Sequence, residues 1–157
     1  MFGTLRILSL LALLLGAVAL SACGDEANSR EARNAYVRDL NAAQQEFATN
    51  ASAVSQREAA TLGQYRRTLR QFQTTITSFE SKLRTISVPS VVTEEHEQLV
   101  AALRKFGTDF ERVSAVLNNP NTRALSDAKI AITMATQRAN ARIEAAAAAI
   151  DSKLQDT

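Results

Sequence analysis

Residues 62–86, LGQYRRTLRQFQTTITSFESKLRTI, carry an unbroken apolar row at Leu62, Tyr65, Leu69, Phe72, Ile76, Phe79, Leu83 and Ile86. The steps alternate between three and four, which is the a/d spacing of a helix that buries one seam against partner helices. Proline and glycine are absent from residues 64–86, so nothing interrupts the helix.

Outward from this stretch the same pattern returns. Beyond Val88-Pro89-Ser90, a second row runs Val92, His96, Leu99, Leu103, Phe106, Phe110, Val113 and Leu117. Glu94, Glu95 and Glu97 lie in its first turns, where they complement the positive end of the helix dipole. Asn118-Asn119-Pro120-Asn121 reads as a turn. A third row, thin and alanine-rich, follows over about 122–155 at Leu125, Ala128, Ile132, Ala135, Ala139, Ile143, Ala146, Ile150 and Leu154. Ala145 to Ala149 would let a neighbouring helix approach closely.

Upstream, Tyr36, Leu40, Ala43, Phe47 and Val54 form the fourth row, widened by Val37. Asn28 with Glu31, and Ser55 with Glu58, have capping-box spacing, which predicts helices over about 29–52 and 56–87. No proline or glycine separates these two, so one rod of about 60 residues, close to 90 Å, is the alternative. The apolar phase slips by one residue between Val54 and Leu62, which favours a break. The fold class expected is all-α, an antiparallel up-down four-helix bundle with coiled-coil-like packing. An echo at an offset of 34, Leu69-Arg70-Gln71-Phe72 against Leu103-Arg104-Lys105-Phe106, has the period of tetratricopeptide repeats but lacks their signature residues; shared heptad grammar explains it.

The first residues are of another kind. Arg6 precedes an apolar run, Ile7 to Leu20, interrupted only by Ser9 and Gly16, and no acidic residue occurs before Asp25. The run is shorter than the roughly 20 residues a membrane span needs, and it ends in small residues. Leu20-Ser21-Ala22-Cys23 resembles the lipobox of bacterial lipoproteins. That resemblance implies that the leader is cleaved before Cys23 and that its thiol carries diacylglycerol. It divides the chain into a signal peptide (1–22), a lipidated Cys23 with a short tether (23–28) and a helical bundle domain (29–157). The location implied is extracytoplasmic, on the bacterial cell membrane, or on an outer membrane where the envelope has two. The Asp that retains such proteins at an inner membrane usually follows the Cys directly, whereas here Gly24 does.

Without the leader, 17 basic groups face 16 acidic ones, a balance from which neither a nucleic-acid nor a polyanion partner follows. No cysteine follows Cys23, so packing alone must stabilise the domain. His96 is the single histidine and lies among Glu94, Glu95 and Glu97, but metal-binding bundles draw ligands from several helices. It reads as a bundle-end histidine among solvated cap carboxylates, with no metal, no cofactor and no catalytic residue expected. Arg66, Arg67 and Arg70 suggest a solvated polar face, with anionic headgroups or wall polymers as the alternative. Ile130 and Met134, one turn apart and off the main row, mark either a wider buried face or an exposed docking patch. The Asn50-Ala51-Ser52 sequon has no meaning for a bacterial protein.

These features lead to the expectation of a non-enzymatic, membrane-held adaptor or structural protein with an envelope protein as partner. The alternative is a ligand-binding or sensor module for a small molecule or envelope polymer, with its cavity beside the alanine-lined last helix.

Overall fold

In a computed structural model of the chain, residues 25–57, 61–117 and 123–156 are described. They form four helices: α1 (Asp25–Ser55), α2 (Leu62–Arg84), α3 (Thr93–Val116) and α4 (Ala124–Gln155). A 3-10 turn, Ser90–Val92, leads into α3. Close approaches join sequence neighbours, α1 with α2, α2 with α3 and, most extensively, α3 with α4, which is an antiparallel up-down bundle.

The break between α1 and α2 is present, but its chemistry differs from the expectation. Ser55 does not cap α2; it ends α1, donating its hydroxyl back to Ser52 O at 2.9 Å. The N-cap of α2 is Thr61. Its Oγ1 accepts from the Gln64 amide at 3.2 Å, and its own amide donates to Gln64 Oε1 at 2.9 Å. This reciprocal pair satisfies two amides that a helix start leaves unpaired. At the other boundary, α1 begins at Asp25, so Asn28 stands inside the helix instead of capping it. Helix α2 stops at Arg84, not residue 87: the amides of Thr85 and Ile86 close it with three-residue bonds to the carbonyls of Lys82 and Leu83, each at 3.1 Å, ahead of Pro89. The expected turn over 118–121 lies outside the described residues.

The apolar rows meet as expected. Tyr36, Leu40, Ala43, Phe47, Ala51 and Val54 are buried from α1, and Leu69, Ile76, Phe79 and Leu83 from α2. Rings link the layers: Phe47 stacks on Phe79 with centroids 4.7 Å apart, and Phe72 lies 5.2 Å from Phe110. The two phenylalanines of the sequence echo, Phe72 and Phe106, meet edge to face across the α2–α3 interface at 6.4 Å. Ala128, Ala135, Ala139 and Ala146 are buried along α4, and their small side chains permit its close approach to α3.

The helices are staggered. Arg57, just past the end of α1, hydrogen-bonds Gln71 at 3.0 Å, so Leu62 to Arg70 continue beyond the point where α1 stops. At the opposite end Tyr36 reaches the α2–α3 connection, and none of residues 29–35 is buried. The first ten or so residues of α1, about 15 Å of helix, therefore lie at or beyond the level of the Tyr36–His96 contact, half-covered at Arg30, Arg33 and Ala35.

Candidate functional site

Two of the buried polar residues, Glu95 and His96, lie at the end of the bundle where α1 begins. Leu83 is the last apolar residue of α2, and its carbonyl accepts from the Ile86 amide at 3.1 Å in the closing turn, with a second lone pair left for another donor. His96, one turn into α3, lies 3.1 Å from that oxygen through Nε2 and 3.1 Å from Tyr36 Oη through Nδ1. A carbonyl only accepts, so Nε2 carries the proton and Nδ1 accepts from the tyrosine hydroxyl. His96 is therefore neutral in a fixed tautomer and joins three helices. Burial pushes it below its ordinary value, partly offset by the Leu83 carbonyl and Glu97. Burial, with Asp151 and Glu95 nearby, pushes the Tyr36 hydroxyl up to about 12.

The expectation of a bundle-end histidine among solvated carboxylates holds for Glu94 and Glu97, which are exposed, and fails for Glu95, which is 6% exposed; His96 is buried, as its place in the apolar row requires. Glu95 faces α4, where Lys153 Nζ sits 2.7 Å from its Oε1. That hydrogen bond lowers the pKa of Glu95 and raises that of Lys153. Among the described residues no group of three or more His, Cys, Asp or Glu is placed to hold a metal. Beside His96, Arg84, Val88, Glu97, Val100 and Arg104 line an open groove of about 700 Å³. It lies on the α2–α3 side, away from the alanines of α4.

One buried carboxylate, Asp109, and the partner of half-buried Arg66 escaped the sequence reading. Asp109 on α3 is 7% exposed and is paired with Lys105 and, at 3.2 Å, with Arg112. The Lys105 hydrogen bond holds its carboxyl below the usual carboxylate range. Arg66 leaves the expected basic face and donates to the backbone oxygen of Leu117, at the end of α3. The α2–α3 pair is thus clasped reciprocally: an α3 side chain takes a carbonyl in the closing turn of α2, and an α2 side chain takes the carbonyl of the residue that caps α3. Arg67 and Arg70 stay exposed, as expected of a polar face.

Ile130 and Met134 are 58% and 50% exposed, so they form a surface patch and not a widened core. Cys23 and its lipobox lie outside the described residues. No described helix is long and apolar enough to cross a membrane. Comparison of the chain with protein families, with curated proteins and with solved structures finds no match.

Proposed function

We propose that this chain is a lipid-anchored protein of the bacterial cell envelope whose extracytoplasmic bundle acts, without catalysis, as a protein-interaction or structural adaptor. The observation that carries this reading is Leu20-Ser21-Ala22-Cys23 at the end of an apolar run. Two or three acyl chains on Cys23 would hold the protein at the bilayer, where one would bind only marginally. The polar groups around His96 support the non-catalytic part: both ring nitrogens are engaged in joining helices. Ile130 and Met134 supply the docking patch for an envelope protein.

The anchor is tested by labelling cells with a fatty-acid probe and fractionating them. The native chain is expected to take up label and sediment with membranes, while Cys23→Ala is unlabelled; a labelled Cys23→Ala chain would overturn the anchor. The adaptor role is tested with a photo-crosslinking residue at Met134 or, as control, at Glu144. A discrete envelope adduct from Met134 alone is expected, and equal or absent adducts count against it.

The groove beside His96 favours a second reading, a ligand-binding or sensor module for a small molecule or envelope polymer. Under that reading Arg104→Ala reduces ligand-induced protection of the groove, whereas changes at Met134 are silent.

A further inference from the structure

The nearly balanced charge of the mature chain hides a separation that only the topology reveals. The α1–α2 and α3–α4 connections share one end of the bundle. There, residues 57–70 carry four basic groups against one acidic, and residues 105–138 carry five against three. The other end, nearest the start of α1, has the opposite balance. Residues 25–46 carry three basic against five acidic groups, residues 80–104 three against four, and residues 142–156 two against three. The net charges are +5 and −4 at opposite ends of one rod.

At the positive end, three exposed arginines lie on or against neighbouring turns of α2. Arg67 and Arg70 stand one helical turn apart on α2, both exposed and without an ion pair among the described residues. Arg57 joins them through its hydrogen bond to Gln71, one turn on from Arg67. Three of the other six cations there are placed differently: Arg66 is turned to Leu117, and Lys105 and Arg112 to Asp109. Seven of the nine basic residues at this end are arginines, whose planar forks match phosphate oxygens two at a time.

We infer that the end of the bundle remote from the start of α1 docks a linear, phosphate-bearing polyanion on Arg57, Arg67 and Arg70. Charge complementarity selects the occupant: a chain of repeated phosphates can engage several forks at once and releases counterions as it does so. If Cys23 is acylated, the bilayer that holds it lies at the other end, beyond a helix about 45 Å long, so its headgroups are not the anion intended. The inference does not depend on that anchor, because the charge separation is intrinsic to the fold.

The test uses the full chain in non-ionic detergent and long-chain inorganic polyphosphate as the probe, with affinity measured at several salt concentrations. Binding is expected to weaken steeply with salt, and Arg67→Glu/Arg70→Glu to lose about tenfold or more in affinity at low salt. Arg30→Glu/Arg38→Glu makes the same charge change at the opposite end and is expected to alter affinity less than about twofold. Circular dichroism confirms that both variants remain helical. The inference is overturned by failure to bind polyphosphate, or by equal losses in the two variants. It is also overturned if vesicles of phosphatidylglycerol and phosphatidylcholine bind as tightly through the same arginines, since the anion would then be a lipid surface.

Discussion

The hydroxyl of Tyr36 is a donor to His96 Nδ1 at 3.1 Å, linking the first helix to the third across 60 positions of sequence. Because the other ring nitrogen is bound to Leu83 O, the tyrosine completes a chain of hydrogen bonds from α1 through α3 to α2. Tyr36→Phe removes one buried bond and leaves Nδ1 unsatisfied, so a loss of about 1–2 kcal/mol is expected. His96→Phe strands the Tyr36 hydroxyl and removes the second donor to the Leu83 carbonyl, which keeps the Ile86 amide, and is expected to cost more. In a double-mutant cycle by urea unfolding, the pair should show a coupling of at least about 0.5 kcal/mol. Simple additivity would mean that the bond contributes nothing.

Acid should weaken the fold through the same histidine. The unfolded chain binds a proton near pH 6.5, while buried His96 resists it to lower pH. Stability is thus complete above about 6.5, falls as the medium is acidified through the interval below, and levels once the folded ring is also protonated. Asp151, whose carboxyl burial pushes up, acts in the opposite direction at lower pH. Unfolding midpoints measured from pH 7.5 to 5.5 should decline in the native chain and be flatter in His96→Gln. At the alkaline end Tyr36 contributes stability that is lost as pH rises from about 10 towards 12.

Thr136 is 8% exposed within α4, and its Oγ1 has no hydrogen-bond partner among the described residues. Replacing the hydroxyl by a methyl of similar size removes that cost, so Thr136→Val is expected to stabilise the bundle by about 1 kcal/mol. Thermal unfolding checks it; a lower midpoint would show that the hydroxyl is satisfied in solution.

Gly107 sits in the middle of α3, where a methyl group would meet Ile76 Cγ2 at 3.6 Å, an ordinary contact distance. Gly107→Ala is therefore expected to gain about 0.5–1 kcal/mol from helix propensity. A larger residue would press on Ile76, itself 1% exposed, so Gly107→Leu should destabilise. Chemical denaturation of the two variants gives opposite signs if α2 and α3 pack as described.

The aromatic stack of Phe47 on Phe79 pins α1 to α2. Phe79→Ala is expected to cost about 3–5 kcal/mol, close to the whole stability of many domains of this size. The measurement is the loss of cooperative unfolding, with Phe79→Leu retaining most of it.

The seams were readable because heptad spacing is a local property: Leu69, Ile76, Phe79 and Leu83 are buried where the three-four alternation places them. Helix boundaries were less readable, since Ser55-Glu58 and Thr61-Gln64 have the same capping spacing and only the geometry of the connection selects the second. The partners of His96, Arg66 and Asp109 were not readable. A hydrogen bond across tens of residues leaves no periodic trace, and Glu95, one position from the seam, reads as a surface cap until Lys153 arrives from the far end of the chain. The charge separation was hidden for a related reason: antiparallel folding brings distant segments of like sign together.

The first turns of α1, which lead into the bundle ahead of Tyr36, couple reach to azimuth. Each residue there advances the chain by about 1.5 Å and turns it by about 100°, so a one-residue deletion would swing the whole body to a new heading while barely shortening it. Removing a full turn would lower the body and keep its bearing. Any neighbour fixed in place would sense the first change more sharply than the second.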